Sequence, residues 1–446
     1  MKDTQISTLS KKTYTYTILD KITVDIEVSD NPYQLPLEEL FTMAARINKK
    51  RSFLFVSKVL GKHLPIQPRK GLLTAALLAS RYAENIKKLN CTVRESLVRS
   101  FGQKETDFQS VSFIPKSVNP VVIGFAETAT SLGHAFFDCF EEAEYFHTTR
   151  EEMDHITPCI TFEEEHSHAT SHRCYIPINM IDNQREIILV DDEMTTGKTA
   201  INIIQSIHSQ FPRTEYTIVS ILDWRSEHNK QQFTQLERTL GININVVSLM
   251  SGMVLVNEKG KLQELEKQPG TYKETKTTIE VLSLSAFFEK EHTGPYNKTH
   301  PYIKETGRFG INSKNNFVLH QKINDAAFVL RQRRTGSKTL CLGTGEFMYI
   351  PMKLASEMGR DVYYQSTTRS PIYIQNIQGY GARHGIGFPN PEDWDVAHFV
   401  YNISPGEYDE IFVFFEREVS AENLQPLVKQ LENLQLKSIK IVFFSD

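Results

Sequence analysis

The sequence has few cysteines, no long apolar run and little net charge. Its five cysteines are scattered, odd in number and never spaced C-x-x-C, which excludes a disulfide scaffold and predicts reduced thiols in a cytoplasmic protein. No apolar run approaches the roughly 18–20 residues of a membrane span, and the N-terminus MKDTQISTLSKK lacks the apolar core of a secretory signal. A net charge of −4 gives no reason to expect nucleic acid or an anionic membrane as a partner.

What the sequence does contain predicts an α/β protein of more than one domain. A length of 446 residues, with 40% hydrophobic and 23% charged residues, is typical of a soluble chain that buries more than one core. From residue 120 strands and helices alternate, as in PVVIGFAETATSLGHAFFDCFEEAEYF, which predicts a parallel sheet with flanking helices. The polar stretch 266–306 is the predicted linker between domains at 1–265 and 307–446, with TTIEVLSL as a candidate strand inside it.

Shorter patterns predict the elements around this sheet. TYTYTILDKITVDIEV (13–28) alternates and is rich in β-branched residues, which predicts an antiparallel hairpin. We expect a helix at Leu37–Arg46, a strand at 52–57 and a helix through GLLTAALLASRYAENI. Residues 151–178 show no regular period and are expected to form a long loop.

The stretch REIILVDDEMTTGKTAINII, residues 185–204, carries the strongest chemical signal. An apolar strand ends in Asp191 and Asp192, a turn follows, and a helix begins after the turn. Because ligands of parallel sheets bind beyond the carboxyl ends of strands, the turn and the helix N-terminus predict a phosphate site. The turn offers hydroxyl donors from Thr195, Thr196 and Thr199. Gly197 lets the backbone of the turn close around the phosphate oxygens.

The two carboxylates would repel a phosphate placed directly beside them. They suit hydroxyl groups farther along the same ligand, such as the 2- and 3-hydroxyls of ribose 5-phosphate. The alternative is an ordinary strand–turn–helix unit in which the threonines cap the helix.

This stretch resembles the motif with which type I phosphoribosyltransferases bind phosphoribosyl pyrophosphate (PRPP). Four apolar residues, two acids, two further residues and T-T-G-x-T follow in the family's order. Glu193 departs from the family, which has an aliphatic residue or serine there, so its charge either weakens PRPP affinity or contacts a cation. The resemblance implies a Mg²⁺-dependent transferase whose PRPP-binding residues are Asp191, Asp192, Thr195, Thr196, Gly197, Lys198 and Thr199. It implies no metal site from the protein alone, since Mg²⁺ arrives with PRPP near the two aspartates.

The same resemblance implies a second loop, which holds the pyrophosphate of PRPP. Type I enzymes form it as a tight turn after an earlier strand. Here the strand VVIG is followed by Phe125 and then by the candidate pyrophosphate loop Ala126, Glu127 and Thr128.

Two other polar groups have open alternatives. Lys58, Lys62 and His63 either reach PRPP oxygens or form a basic strand end. The segment Asp223-Trp224-Arg225 either lines the site or contains a structural salt bridge.

The loop EEEHSHATSHRC, residues 163–174, has three interpretations. Imidazole and thiolate are zinc ligands, although the spacing H-x-H-x₃-H-x-C is not a standard zinc framework. A plain solvated loop is the second interpretation. We favour a mobile loop that closes over the site, with Glu165, His166 and His168 as catalytic candidates. Imidazolium groups can stabilise the departing pyrophosphate, and histidine can move a proton near pH 7.

Over nearly its whole length the chain is similar to one branch of these enzymes, the phosphoribosyltransferases found with tellurite-resistance (ter) gene clusters. That branch carries a C-terminal TRSP domain, and the letters stand here in QSTTRSPIY, with GFAETAT, FLFVSKVLGKH and GTGEFMYIP as further matches. The resemblance implies a base-like small molecule as second substrate and a nucleoside-like product in a stress response. The expected partners are thus PRPP and that base, without nucleic acid or membrane, and a homodimer is a candidate assembly.

The C-terminal part repeats the N-terminal order of residues. At an offset of 219, as from Glu127 to Glu346, six residues coincide between VVIG-FAE…YFHTTR and LCLG-TGE…YYQSTTR. The C-terminal counterpart of the acid pair Asp191-Asp192 is Phe415-Glu416. This loss predicts a smaller, degenerate copy that is not itself a transferase. We expect it to hold an anionic ligand in a pocket lined by Gly343, Gly345, Glu346, Thr367, Thr368 and Arg369. The alternative is two unrelated βαβ units with similar strand ends.

Two other functions are compatible with the sequence. One is a regulatory protein that senses PRPP or a nucleotide without turnover. The other is a diphosphokinase resembling PRPP synthetase, which needs an ATP site for which the sequence gives no signal.

Overall fold

The computed structural model describes residues 12–47, 51–103, 108–153, 156–163, 171–260, 276–291 and 301–445. The strands are β1 (Lys12–Ile18), β2 (Ile22–Asp30), β3 (Phe41–Ala45), β4 (Phe53–Ser57), β5 (Val121–Gly124), β6 (Glu144–His147), β7 (Ile160–Glu163), β8 (Ser171–Cys174), β9 (Ile187–Met194), β10 (Glu215–Asp223), β11 (Asn243–Glu258), β12 (Thr278–Ser283), β13 (Lys290–Glu291), β14 (Tyr302–Ile303), β15 (Ile311–Asn312), β16 (Thr339–Gly343), β17 (Val362–Ser366), β18 (Gly385–Asn390), β19 (Asp393–Tyr401), β20 (Glu410–Phe415) and β21 (Ser438–Phe443). The helices are α1 (Leu37–Leu40), α2 (Pro68–Asn85), α3 (Arg94–Phe101), α4 (Ala129–Phe137), α5 (Lys198–Gln210), α6 (Glu227–Leu240), α7 (Ser313–Arg333), α8 (Tyr349–Glu357) and α9 (Ala421–Glu432), with 3-10 turns at Ile178–Met180 and Lys304–Thr306.

The first sheet has the order β1-β2-β11-β10-β9-β5-β6-β15. Its five central strands, from β11 to β6, are parallel, and the hairpin β1–β2 and the short β15 are added antiparallel at the edges. Numbered from β5 along the chain, the parallel strands have the order 2-1-3-4-5. Such an order reverses direction between its first and third strands, here β5 and β9, and ligands bind at this point beyond the carboxyl ends.

The second sheet, β12-β21-β20-β16-β17, is parallel throughout. Numbered from β16, its strands β16, β17, β20 and β21 repeat the order 2-1-3-4 of the first sheet, as a duplicated unit requires. The fifth place is filled by β12, which lies inside the predicted linker and corresponds to the candidate strand TTIEVLSL. Conversely, β15 lies beyond the predicted domain boundary but pairs with β6 of the first sheet.

The helix predicted at Leu37–Arg46 is wrong beyond its first turn. Only α1 is helical, and the following β3 pairs antiparallel with β4 over five residues. Phe41 packs edge-on against Phe55 and Trp224, with ring centroids 4.8 Å and 6.2 Å away. These contacts with distant residues outweigh the helical propensity of FTMAAR. The predicted N-terminal hairpin, the strand at 52–57 and the helix α2 are confirmed.

One contiguous apolar core joins the two halves. It contains Val122 and Val190 of the first sheet together with Cys341 and Phe412 of the second. Backbone hydrogen bonds cross the same boundary, since Ile66 and Tyr364 exchange N–H···O bonds of 2.9 Å and 2.8 Å. The halves are therefore packed as one body. In the part of the chain described, no helix combines the length and apolar character needed to cross a bilayer.

Candidate active site

A cavity of about 830 Å³ opens beyond the carboxyl ends of β5 and β9. Its lining includes most of the residues that the sequence motifs predict, namely Ala126, Glu127, Thr128, Asp191, Asp192, Thr195, Thr196, Gly197 and Thr199. Lys198, the first residue of α5, is the predicted PRPP-binding residue that does not line it. The sheet thus brings two loops, separated by some 60 residues of sequence, to one place.

The acid pair lies on the strand itself. β9 continues past the acid pair to Met194, because Glu193 and Met194 pair with Leu222 and Asp223 of β10. The Oδ1 atom of Asp191 accepts a hydrogen bond of 2.9 Å from the backbone N–H of Asp192. Both carboxylates are partly exposed and line the cavity, so both can meet a ligand.

The turn after β9 depends on a glycine. Gly197 has φ of +75° and precedes α5, and a Cβ at this position would come within 2.6 Å of the Phe233 ring. Neighbouring backbone groups are held by side chains, since Asn229 Nδ2 donates to the carbonyl of Thr195 at 3.2 Å. The first-turn N–H groups of α5 lack intrahelical partners, as in every helix, and Thr199 and Ala200 at this end line the cavity. This end of the cavity therefore suits a phosphate.

We expect Gly197→Ala to lower the free energy of unfolding by about 2–4 kcal/mol, because it adds both backbone strain and a clash with Phe233. Gly241→Ala is the matched control. Gly241 has φ of +67°, but nothing lies within 4 Å of a Cβ there, so it should lose only about 1 kcal/mol. Urea denaturation of both variants measures the difference. Equal losses would show that the close approach to Phe233 does not matter.

The charge of Glu193 is met by a cation. Arg51 Nη1 lies 2.7 Å from Glu193 Oε1, and its guanidinium stands over the rings of Phe53 and Phe55 at 4.7 Å and 5.6 Å. Burial raises the pKa of Glu193, while Arg51 acts in the opposite direction. The sequence left open whether the charge of Glu193 weakens PRPP affinity or contacts a cation, and in the structure it contacts the cation Arg51.

Several cations surround the pyrophosphate-loop candidate. The Ala126–Glu127 peptide is cis, and the N–H of Ala126 donates to Thr148 Oγ1 at 2.9 Å. Burial alone would raise the pKa of Glu127, but the charges of four basic residues outweigh it and hold the pKa below its usual value. These residues are Lys62, Arg150, His398 and Arg369. Lys62 also donates a hydrogen bond from Nζ to Thr128 Oγ1.

The structure shows which residues of the basic group 58–63 and of the segment 223–225 reach the cavity. Lys62 and His63 line the cavity, whereas Lys58 donates to the carbonyl of Glu38 at 2.7 Å. Asp223 and Arg225 form a buried two-point salt bridge, with distances of 2.9 Å and 2.8 Å, and do not line the cavity. They are structural.

Comparison with known families assigns the chain. Residues 40–253 match the family model described as phosphoribosyl transferase, and residues 305–431 match the model of the TRSP domain that lies C-terminal to it. Residues 40–253 belong to the phosphoribosyltransferase family. The chain is an enzyme of that family with a C-terminal TRSP domain.

Solved adenine phosphoribosyltransferases are similar to this phosphoribosyltransferase over about half of its length. The Trypanosoma brucei enzyme, in complex with AMP, pyrophosphate and ribose-5-phosphate, is 11% identical with a TM-score of 0.30, over 50% of this chain and 82% of that one. For the Saccharomyces cerevisiae enzyme the identity is 12% and the TM-score 0.28, over 48% and 96%. For the Rhodothermus marinus enzyme they are 13% and 0.27, over 48% and 95%. No curated protein matches the chain.

The predicted long loop of the phosphoribosyltransferase contains a hairpin. β7 and β8 pair antiparallel, while the catalytic candidates Glu165, His166 and His168 lie outside the described residues. His172 is buried against the Phe162 ring, with its Nδ1 atom 2.8 Å from Thr148 Oγ1. Cys174 is fully buried, and burial raises the pKa of its thiol. The described residues contain no group of three or more His, Cys, Asp or Glu side chains arranged to hold a metal.

The structure places the six second-domain candidates in different surroundings. Arg369 lines the transferase cavity. Glu346 is buried between the halves, where it accepts hydrogen bonds from Thr149 Oγ1 (2.6 Å), the N–H of Arg150 (2.8 Å) and Arg308 Nη1 (2.9 Å). The remaining four, which belong to the backbone and strand ends around Glu346 and Arg369, are Gly343, Gly345, Thr367 and Thr368. The Arg308 guanidinium also bonds Glu416 at 3.1 Å, so protein groups bind the carboxylates of both Glu346 and Glu416.

Each of the two halves nevertheless contains the same pattern of hydrogen bonds. In the first, Thr148 Oγ1 accepts from the N–H of Ala126 at 2.9 Å and lies 2.8 Å from His172 Nδ1. In the second, Thr367 Oγ1 accepts from the N–H of Gly345 at 2.9 Å and lies 2.9 Å from His398 Nδ1. The threonines obey the 219-residue offset but the histidines do not, so the repeat in the sequence could not reveal them.

A charge cluster with a buried centre lies at the junction of the halves. Arg308 and Arg417 face four carboxylates and the ring of Tyr302, which lies 4.7 Å and 4.1 Å from the two guanidinium groups. The carboxylates are Glu151, Glu346, Glu392 and Glu416. Burial raises the pKa of Glu392 to about 7, helped by Glu151 and Glu416 and opposed by Arg417 and Arg308.

This shift predicts a pH dependence of stability. A carboxyl whose pKa is higher in the folded state stabilises the fold while it is protonated, so the contribution is lost as the pH rises from about 4.5 to about 7. We expect the free energy of unfolding of the wild type to fall between pH 5 and pH 8 by about 1–2 kcal/mol more than that of Glu392→Gln, which cannot titrate there. Parallel pH profiles in urea denaturation would contradict this assignment.

Proposed function

We propose that this enzyme is a Mg²⁺-dependent transferase that uses PRPP to form, or to cleave, an N-glycosidic bond to a base-like acceptor. The observation that carries the proposal is the joint placement of three features on one cavity. They are the acid pair of β9, the glycine turn before α5 and the cation-lined loop after β5.

Each feature has a role along the ligand. Asp191 and Asp192 accept hydrogen bonds from the ribose hydroxyls, and the turn 195–199 holds the 5-phosphate. The loop 126–128, with Lys62 and Arg150, faces the pyrophosphate. The bond between C1 and the pyrophosphate oxygen breaks with its electron pair on that oxygen, while a nitrogen of the base forms the new bond to C1 and loses its proton to water. Fixed cations at the pyrophosphate stabilise the negative charge that develops there.

The residues present fit Mg²⁺ that arrives with PRPP. Mg²⁺ prefers oxygen ligands, retains several waters, and is usually held by one or two carboxylates together with phosphate oxygens. Asp191 and Asp192 are partly exposed carboxylates on this cavity that would hold it. When bound, the ion supplies charge neutralisation at the pyrophosphate.

The other lining residues suit a flat nitrogen base. Leu54, Phe55 and Phe125 give apolar surface, and His63 adds a polar group among them. Burial, followed by the charges of Lys62 and Arg46, holds the pKa of His63 well below its usual value, so the imidazole is neutral. Its Nε2 atom is buried and has no hydrogen-bond partner among the residues described. A neutral imidazole with a free ring nitrogen can recognise a donor or acceptor of a base.

The test is incubation of the full chain with PRPP, Mg²⁺ and a panel of nitrogen bases, with released pyrophosphate as the readout. We expect release with one class of base, and none when EDTA replaces Mg²⁺. PRPP binding without release with any base would favour the non-catalytic sensor. A wild type that does not bind PRPP would contradict the proposal. The resemblance to the ter-associated branch supports a nucleoside-like product in a stress response, which tellurite sensitivity of a strain lacking the gene would test.

A further inference from the structure

We infer that the TRSP domain completes the transferase site, with Arg369 as a pyrophosphate-binding residue supplied by the second half of the chain. Arg369, Ser370 and Pro371 line the same cavity as the acid pair and the loop after β5. The inference rests on the proposed function, because the pyrophosphate is the leaving group of PRPP. The sequence repeat would assign Arg369 to a ligand of its own domain, so this role is a different one.

The guanidinium of Arg369 lies at the end of the cavity that holds the candidate pyrophosphate loop, and it can bind a ligand there. Its Nε atom is 3.8 Å from Glu127 Oε1, next to the candidate pyrophosphate loop. The side chain is 28% exposed, and Nε has no hydrogen-bond partner within the described ranges. A guanidinium carries five N–H donors in a fixed plane, which suits two-point contact with phosphate oxygens.

The backbone of this segment is held firmly in place. Thr368 and Phe399 exchange backbone hydrogen bonds of 3.0 Å and 2.8 Å, and Tyr401 Oη donates to the carbonyl of Ser370 at 2.8 Å. On the other side, the N–H of Ile47 donates to the carbonyl of Pro371 at 3.1 Å. The segment is therefore attached to both halves, and the guanidinium is presented from a fixed position, as a preorganised binding group requires.

The repeat supplies an independent observation. Arg150 is the counterpart of Arg369 at the 219-residue offset, and both arginines line the one cavity, near Glu127. In the second half, Glu346 corresponds to Glu127 and Glu416 to a member of the acid pair, and Arg308 bridges the two at 2.9 Å and 3.1 Å. Because Arg308 binds both carboxylates there, Arg150 and Arg369 both serve the open cavity of the first half.

The experiment compares three ligands on the full-length Arg369→Gln variant by calorimetry in Mg²⁺ buffer. Inorganic pyrophosphate and PRPP carry the diphosphate, whereas ribose 5-phosphate does not. We expect affinity for the first two to fall about 10- to 100-fold, the loss typical of one charge-assisted contact, and affinity for ribose 5-phosphate to stay within about 2-fold. Arg369→Lys keeps the charge without the planar fork and should lose less.

Arg383→Gln is the matched control. Arg383 lies in the same domain, is exposed, and donates to Asn376 Oδ1 at 2.8 Å, away from the cavity. It should bind all three ligands as the wild type does.

Unchanged pyrophosphate and PRPP affinity in Arg369→Gln would overturn the inference, and so would an equal loss for ribose 5-phosphate, which indicates a general distortion. If Arg369→Gln does not fold, Arg369→Lys must show the same selective, smaller loss. A wild type that binds neither PRPP nor pyrophosphate would overturn the proposed function together with the inference. A wild type that binds both, with a variant that does so equally well, would overturn the inference alone.

Discussion

The double variant Asp191→Asn, Asp192→Asn is expected to lose PRPP binding while keeping the fold. The two carboxylates are partly exposed on the cavity, and β9 is held by backbone pairing with β5 and β10 that asparagine preserves. An asparagine side chain in place of Asp191 would also retain an oxygen that can accept from the next backbone N–H. The variant removes two charged acceptors, each of which contributes about 1.5–3 kcal/mol in a hydrogen bond, so affinity should fall roughly 100- to 10,000-fold.

Calorimetric titration with PRPP and Mg²⁺ measures the loss, and the midpoint of thermal unfolding reports on the fold. Glu193→Gln is the matched control, since Glu193 is the next acid on the same strand but its charge is bound by Arg51. Its PRPP affinity should change far less than that of the double variant. A folded double variant with wild-type PRPP affinity would remove the basis for assigning ribose hydroxyls to these aspartates.

Arg308→Met is expected to lower the free energy of unfolding by about 3–5 kcal/mol. Arg308 is 2% exposed and donates to Thr149 Oγ1 at 2.6 Å as well as to Glu346 and Glu416. Removal of the guanidinium leaves buried carboxylates without their cation, which is far more damaging than the loss of an exposed pair. The loss should be greater at pH 8 than at pH 5, because the carboxylates can take up protons at the lower pH.

Arg333→Met provides the comparison for this prediction. Arg333 pairs with Glu280 at 3.1 Å, but both side chains are exposed, so less than about 1 kcal/mol should be lost. Urea denaturation measures both variants. Adding Glu346→Gln and Glu416→Gln to Arg308→Met should recover part of the stability, because neutral amides need no cation. Equal stability of the two methionine variants would show that the buried cluster does not hold the halves together.

The sequence predicts the part of the site that depends on local order. A strand that ends in two aspartates, followed by a glycine turn and a helix, places its ligand groups at the end of a parallel strand wherever the sheet lies. The same rule brings the loop after β5 to the same edge. For this reason, the predicted residues 126–128 and 191–197 lie together on one cavity.

The rest of the site depends on contacts between distant residues. Arg51 is 142 positions from its partner Glu193, and Thr368 is 241 positions from Glu127. Neither spacing leaves a periodic pattern in the sequence. The strand β3 and the position of Arg369 on the transferase cavity are missed for the same reason, since both are fixed by what packs against them. The repeat indicates that two similar units are present, but not which face each unit turns to the other.

The placement of both units in one chain has a consequence for binding stoichiometry. In a symmetric pair of identical subunits every substitution occurs twice, so two equivalent sites must both stay open or both close. Here the two units are different segments of one chain, so a substitution in one leaves the other unchanged. One side keeps its acid pair, and the other carries Arg308 across Glu346 and Glu416. A titration of the full chain with PRPP should therefore saturate at one ligand per polypeptide, even if two polypeptides associate.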